Sequence, residues 1–136
     1  MLIDTGTGGQ TGGPKAGVFM KNLAAAGVDP ASVNHIVISH FHPDHIFGLM
    51  TKAPENKVVF PNAVVHVPAV EYKFWMDPPG IESFPKRAVP LARRVQEMFP
   101  LMKDKVQAFE GDKEVVPGIR PIDAPGHTPG PHRRSM

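Results

Sequence analysis

The chain reads Ile-Val-Ile-Ser-His-Phe-His-Pro-Asp-His over residues 36–45, and this stretch decides both the expected fold and the expected chemistry. Its second part holds His40, His42, Asp44 and His45, three imidazoles and one carboxylate. Side chains two residues apart on an extended segment point the same way, so His40 and His42 can share one ion. Asp44 and His45 fall where the chain turns into a helix and project at a different angle. One loop can therefore supply ligands to two metal ions.

The donor atoms of this loop indicate which metals fit. They are imidazole nitrogens and a carboxylate oxygen, and the whole chain contains no cysteine. Without thiolate sulfur, zinc, iron or manganese is favoured over the softer metal chemistry. The alternative interpretation is an exposed polar loop in which histidines cluster without binding a metal.

The segment before the loop is an apolar run, residues 36–38, of the kind that a strand covered on both faces shows. It delivers His40 to its C-terminal end, where open α/β layers place ligands. Apolar patterns of strand and helix type alternate along the chain, which predicts α/β layering. The other predicted strands are residues 1–4, two within 57–67, and a hairpin of 105–109 and 115–123. The predicted helices are 19–26 before Gly27, 46–50, 70–76 and 90–100, with a capped turn at Asp29-Pro30.

Three further sequence features have competing interpretations. Five glycines lie within residues 6–13, but the loop lacks the Gly-Lys-Ser/Thr ending of a phosphate-binding loop, so we expect a mobile connection beside the site. The apolar segment 72–81 either lines a substrate pocket or, as we prefer, packs as an ordinary helix face. His35 and His66 flank predicted strands and are expected to be structural.

Composition excludes several classes of protein. A length of 136 residues with 41% hydrophobic residues suits one domain with a core. The net charge of +2 comes from interspersed acids and bases, which argues against a nucleic-acid or membrane partner. Zero cysteines excludes disulfides and thiol catalysis. The sequence shows no signal-like segment and no run of 18 apolar residues, so as written it is expected to be soluble and cytoplasmic, although a signal upstream would be invisible and the compartment stays unknown.

Three motifs together resemble the metallo-β-lactamase superfamily of hydrolases. They are Leu2-Ile-Asp4-Thr5-Gly6, the run from Ile36 through His45, and Ala124-Pro-Gly126-His127-Thr-Pro-Gly130, and they occur in the order typical of the family. Two weaker features, Phe60-Pro-Asn62-Ala63 and Asp29-Pro, are most similar to quorum-quenching lactonases and methyl-parathion-hydrolase-like members.

The resemblance implies a particular fold and an unusual length. The family fold is a four-layer αββα sandwich of two similar halves, so residues 1–136 are expected to form a single incomplete domain, roughly the N-terminal half. The strands that precede the first motif in relatives have no counterpart here. Residues 131–136 replace an expected apolar strand and look like an aberrant tail. We therefore expect a fragment, from a frameshift or a misplaced gene end.

The resemblance also assigns roles to individual residues. His40, His42 and His127 would hold a first metal, and Asp44 and His45 would contribute to a second. The bridging aspartate and last histidine of the family would lie beyond Met136. Asp123 and His132 are weak substitutes. Asp44 would also act in catalysis by orienting the attacking water or passing its proton on. Asp4 would accept a hydrogen bond from a ligand histidine, or would simply form a strand-end turn.

The function implied is that of a metal-dependent hydrolase, with two zinc ions in the complete domain and iron or manganese as alternatives. Its substrate would be a small molecule with an ester, lactone, thioester or phosphotriester-like bond. Two other interpretations stay open: an iron-dependent relative of the sulfur dioxygenase or flavodiiron type, and an inactive fragment that binds one metal. Self-association through an exposed half-sandwich is also expected.

Overall fold

A computed structural model describes residues 1–77, 82, 84–124 and 126–128 of the chain. Within them, four parallel strands form one sheet in the order β1-β2-β3-β4, and the helices lie in the connections. The strands are β1 (Leu2–Ile3), β2 (His35–Val37), β3 (Val64–Pro68) and β4 (Val106–Phe109). The helices are α1 (Phe19–Ala25), α2 (Pro43–Ile46), α3 (Ala69–Met76) and α4 (Val89–Leu101). The α/β prediction is therefore confirmed.

Local sequence signals account for the ends of these elements. α1 stops before Gly27, whose φ of +72° is a left-handed conformation that glycine adopts without strain. Asp29 then caps the short 3₁₀ helix Pro30–Ser32, because its carboxylate accepts the backbone N–H of Ala31 at 2.9 Å. Pro90 stands in the first turn of α4, where its missing N–H costs no helical hydrogen bond.

The register of the sheet separates two faces with different surroundings. One face carries Leu2, Ile36, Val65 and Val106, which are paired across the four strands. This face packs against the helices and forms the core, in which Ile36 is fully buried. The opposite face carries the row Ile3, Val37, His66 and Gln107, paired in the same way. We call these four residues the open-face row; only its two ends are exposed, Ile3 by 61% and Gln107, whereas Val37 and His66 between them are buried.

The predicted hairpin of residues 105–109 and 115–123 is wrong. The first segment does form a strand, β4, but that strand pairs in parallel with β3. In the second segment, all of which is described, the structure gives an isolated bridge between Val116 and Ile119 rather than a strand. The physical reason is that α4 carries the chain back to the start of β3, whose free edge then accepts β4.

Two further sequence expectations need adjustment. Of the two strands predicted in residues 57–67, only β3 forms in this described segment, since Val58 makes an isolated bridge with Met50. The helix predicted at 46–50 starts earlier, as α2 at Pro43, and continues as the 3₁₀ helix Phe47–Leu49. Of the segment 72–81, the side chains of Tyr72, Phe74, Trp75 and Met76 pack against the core as expected for a helix face. Residues 78–81 and the tail 131–136 lie outside the described residues.

No helix in the described parts of the chain is both long and apolar enough to cross a membrane.

The C-terminal end of β2 positions the loop that carries the candidate site residues. The sheet holds this end at its centre, and the loop that follows begins where Ile38 donates its N–H to His66 O at 2.8 Å.

Candidate metal centre

The loop after β2 places its first two histidines side by side. His42 has an extended backbone (φ −69°, ψ 148°) and immediately precedes α2, so the loop stays extended until Pro43 begins the helix. The His40 Nε2 and His42 Nδ1 atoms lie 3.1 Å apart. Between them Phe41 points the other way, is fully buried and stacks on Phe99 with ring centroids 4.6 Å apart. The alternation predicted from the sequence therefore holds, with Phe41 anchoring the loop.

His127 reaches the same place from the far end of the chain. One nitrogen each from His40, His42 and His127 lies within 4.8 Å of the others. The His127 ring stands edge-on to both other rings, with centroid separations of 4.8 and 4.9 Å. Gly126 precedes it with a φ of +117°, a backbone conformation that residues with a Cβ rarely adopt. This glycine thus has a conformational reason to stand before the third histidine.

The chemistry of this group fits a zinc ion. Two nitrogens about 2.05 Å from a tetrahedral zinc would lie roughly 3.3 Å apart, close to the His40–His42 separation. Burial lowers the pKa of His40 and of His42 below the ordinary histidine value, and the neighbouring imidazoles lower both further. The lowered pKa values favour the neutral form of both rings, which is the form that binds metals.

His45 lies next to this group and is held by Asp4. The His45 ring centroid is 3.9 Å from that of His40, and its Nδ1 lies 2.8 Å from Asp4 Oδ2. A carboxylate there favours the tautomer in which Nδ1 carries the proton, which leaves Nε2 as the donor to a metal. Ser39 fixes the carboxylate in turn, since its backbone N–H and its hydroxyl each donate to Asp4 at 2.8 Å. The hydrogen bond expected of Asp4 is present in the structure.

Asp4 itself adopts a left-handed backbone with φ +56°, which aspartate tolerates better than most residues with a side chain. The next residue, Thr5, is fully buried and donates to His45 O through both its N–H and its hydroxyl, at 2.8 and 3.0 Å. The turn after β1 therefore holds both ends of His45, the imidazole through Asp4 and the backbone through Thr5.

Asp44 stands at the outer edge of the group. Its side chain is 65% exposed, and Asp44 Oδ2 lies 3.5 Å from His45 Nε2. Asp123, considered above as a substitute ligand, is exposed and is not part of the three-histidine group found among the described residues. His132 lies outside the described residues. Asp44 and His45 are thus the two described donors adjacent to the three-histidine group.

Sequence reasoning missed Glu71, a carboxylate beneath the loop. It lies on α3, is only 4% exposed, and accepts the N–H of Phe41 at 3.0 Å and the indole N–H of Trp75 at 3.0 Å. The hydroxyl of Thr128, next to His127, also donates to it. A signal existed, because Glu71 is the only acidic residue of the predicted helix 70–76, whose other residues are apolar or aromatic apart from Lys73.

The glycine-rich loop also makes contacts that its composition did not predict. Gln10 donates from Nε2 to the carbonyls of Phe47 and Met50, at 2.7 and 2.9 Å. Arg94 of α4 donates to Gln10 Oε1 at 3.1 Å and to Thr51 O at 2.8 Å. These contacts attach the loop to the turn that follows α2. The mobility expected of it stays a prediction.

The chain belongs to the metallo-beta-lactamase superfamily, whose family model matches residues 1–133. Among curated relatives, an N-acyl homoserine lactonase of Bacillus sp. is 31% identical over 108 residues, which are 79% of this chain and 34% of that protein. The chain thus spans about a third of the length of the curated relatives that it matches.

Solved structures agree with this assignment. AidC, described as a dizinc quorum-quenching lactonase in complex with a product, N-hexnoyl-L-homoserine, superposes with a TM-score of 0.81 at 30% identity. The match covers 95% of this chain and 46% of AidC. The hydrolase AbOPH, of the beta lactamase superfamily, gives a TM-score of 0.81 at 29% identity over 95% of this chain and 45% of its own. The superfamily and the narrower likeness to quorum-quenching lactonases are therefore confirmed.

Proposed function

We propose that the chain carries the zinc-binding part of a metal-dependent hydrolase that opens small lactones or related esters. The observation that carries this proposal is the convergence of His40, His42 and His127 at the end of β2, with their ligating nitrogens within 4.8 Å of one another. The printed names of the relatives, N-acyl homoserine lactonase and dizinc quorum-quenching lactonase, support a lactone as the substrate to test first.

The site residues of the chain have different proposed roles. His40, His42 and His127 offer three imidazole nitrogens to a first metal, and Asp44 and His45 offer an oxygen and a nitrogen to a second. When bound, such metals supply the Lewis acid that polarises a carbonyl oxygen and acidifies a water molecule. Asp4 keeps the proton of His45 on Nδ1, so that Nε2 faces the site.

Asp44 is the residue to which we assign the proton transfer. Its carboxylate is exposed at the edge of the site, and its Oδ2 lies 3.5 Å from His45 Nε2. From there it can accept a proton from the attacking water and pass it to the leaving alkoxide of an opened lactone. Asp44→Asn should therefore reduce turnover more than it reduces zinc binding.

The test is hydrolysis of N-hexanoyl homoserine lactone by the purified chain, followed as acid release with a pH indicator. We expect turnover that a chelator abolishes, that zinc restores and that His42→Ala removes. His35→Ala is the matched control, since His35 lies on β2 outside the three-histidine group and should leave turnover unchanged.

The rate should be low. Among the described residues, only Asp44 and His45 are available to a second metal, and a tightly held metal needs more than two protein ligands. Preorganised electrostatic interactions usually make the largest contribution to catalysis, so a weakly held second metal should lower the rate. We expect turnover at least about 10³-fold below that of AidC assayed in parallel, by analogy with the loss of an oxyanion stabiliser. Metal-independent turnover, or none with lactone, thioester or phosphotriester, would overturn the proposal.

A further inference from the structure

Two separate segments supply the three histidines, and one buried carboxylate connects those segments. His40 and His42 come from the loop after β2, whereas His127 lies more than eighty positions later. Glu71 contacts both segments, since one of its oxygens accepts the N–H of Phe41 and the other accepts the hydroxyl of Thr128. No other buried carboxylate occurs among the described residues.

The positions of these two donors matter. Phe41 stands between His40 and His42, so its N–H fixes the backbone that carries both imidazoles. Thr128 directly follows His127, so its hydroxyl fixes the backbone next to the third imidazole. A shift of the carboxylate would therefore move the two ligand segments relative to each other.

Glu71 is itself held in place. Trp75, one helical turn later on α3, donates its indole N–H to Glu71 Oε2, the same oxygen that accepts the N–H of Phe41. The Trp75 side chain is buried in the core. A buried charge costs free energy unless donors surround it, and three donors do so here. The buried carboxylate of Glu71 is therefore held in one position by three hydrogen-bond donors.

From these contacts we infer that Glu71 is a positioning residue that sets the distance between the His40–His42 pair and His127 through its hydrogen bonds to Phe41 and Thr128. This inference rests on the proposed metal site. According to this inference, Glu71 positions the ligand segments through its hydrogen bonds and not through its charge. Substitutions of Glu71 can separate the effect of the hydrogen bonds from the effect of the charge.

Glu71→Gln separates them because glutamine keeps the shape and loses the charge. Its carbonyl oxygen can accept from Phe41 and Trp75, and its amide can donate to the Thr128 hydroxyl, which then reverses its role. Glu71→Ala removes every contact. Thr128→Val keeps the volume of the side chain but removes the hydroxyl, so it breaks the link to the His127 segment alone.

The experiment measures zinc affinity of the purified chain by competition with a chromophoric chelator, and the visible absorption of the cobalt(II)-substituted chain. We expect Thr128→Val to weaken zinc binding about 10-fold and Glu71→Ala between about 10- and 100-fold, the range typical of residues that orient ligands. Glu71→Gln should stay within about 3-fold of the unmodified chain.

The matched control is Val95→Ala, which removes a fully buried core side chain of α4 and none of the hydrogen bonds to Glu71. It should lower thermal stability while leaving zinc affinity within about 3-fold and the cobalt spectrum unchanged. The double variant Glu71→Ala/Thr128→Val should bind zinc no more weakly than Glu71→Ala alone, because both changes break one link. A purely structural role would instead lower stability in every variant and leave the cobalt spectrum unchanged.

Several outcomes would overturn the inference. Unchanged zinc affinity in Thr128→Val would show that Glu71 does not act through the His127 segment. Equal losses in Glu71→Gln and Glu71→Ala would show that charge, not hydrogen bonding, carries the effect. If Glu71→Ala fails to fold, the Thr128→Val and Glu71→Gln pair still decides the question. Absence of zinc binding by the unmodified chain would instead remove the proposed function itself.

Discussion

At the scale of single residues, the five donors of the candidate centre form two unequal groups. His40, His42 and His127 can surround one ion, whereas Asp44 and His45 offer two donors at its edge. Three imidazoles with an open fourth position are a known zinc arrangement. Two donors alone make a weak site.

We therefore predict close to one tightly bound zinc per chain. Elemental analysis after extensive dialysis should give about one equivalent, and His42→Ala should lose it, because two imidazoles remain. His66→Ala serves as the control, since His66 lies in β3 outside the group. Two equivalents retained through dialysis against a chelator would contradict the unequal grouping.

The sequence alone predicted the candidate metal-binding residues where they lie close together along the chain. The spacing of His40, His42, Asp44 and His45 predicted a metal-binding loop, and the family resemblance added His127 and Asp4 to the prediction. Glu71 was not readable, because its role depends on α3 passing beneath the loop, a contact between positions 30 residues apart. Side chains whose partners are distant in sequence need the fold before their role becomes visible.

At the scale of elements, the turn after β1 and the turn after α2 approach each other closely at Gly48. A Cβ added to Gly48 would lie 2.0 Å from Thr5 O, well inside any allowed contact. The N–H of Gly48 also donates to Gly6 O at 2.9 Å. The two turns therefore meet backbone to backbone.

Gly48→Ala should consequently destabilise the chain by about 3 kcal/mol, because neither backbone can yield easily. Gly13→Ala is the control: Gly13 has a φ of +76° but nothing within 4 Å of an added Cβ, so only about 1 kcal/mol of backbone strain is expected. Urea unfolding of both variants measures the difference. Equal losses of unfolding free energy in Gly48→Ala and Gly13→Ala would show that the close approach of Gly48 to Thr5 does not restrict the side chain at position 48.

The strands β2 and β3 bring His35 and His66 together, with His35 Nδ1 and His66 Nε2 3.1 Å apart. Burial lowers the pKa of His66 below its ordinary value, and the neighbouring His35 lowers it further. Between the folded pKa and the ordinary value of about 6.5, the unfolded chain binds more protons than the folded chain. This contribution to stability is present above pH 6.5 and is lost as the pH falls toward the folded pKa.

The free energy of unfolding should therefore decrease between pH 7.5 and pH 5.5, and His66→Gln should reduce that decrease. Urea titrations in the presence of a chelator remove any bound metal, and His40 and His42, whose pKa values burial also lowers, contribute to both chains alike. Gln107→Ala is the control, because Gln107 is paired with His66 across β3 and β4 but carries no titratable group. It should leave the pH dependence close to that of the unmodified chain. A steeper loss in His66→Gln would contradict the assignment.

Elements were predicted well where the sequence carried its own signals. Gly27, Asp29 and Pro90 mark the ends of helices that the structure confirms. The hairpin of residues 105–123 was wrong, because turn residues show where the chain bends but not which strand edge is free to pair. Here β3 offered that edge to β4.

At the scale of the whole molecule, the sheet is covered on one side by helices, and on the other side the two ends of the open-face row are exposed. Ile3 is 61% exposed at one end of this row, in β1 at the edge of the sheet. An exposed apolar residue on an edge strand invites pairing with another chain.

We predict concentration-dependent self-association of the purified chain, visible by analytical ultracentrifugation. Ile3→Lys should shift the equilibrium toward monomer, because lysine on an edge strand opposes pairing. Ile122→Lys is the control, since Ile122 is 89% exposed but lies outside the sheet. A monomer at every concentration, or an equal effect of both lysines, would contradict a role for the sheet.

The distance along the chain between His42 and His127 has a consequence for protein turnover in the cell. An ion that joins these two distant segments can bind the folded chain but not the unfolded one, so it stabilises the fold by RT ln(1 + c/Kd), where c is the free zinc concentration, or about 4 kcal/mol when c is a thousand times Kd. That amount is comparable to the whole stability of many small domains. Metal supply would then govern how long the polypeptide survives proteases, because a chain without the ion would unfold, and be cleaved, more often.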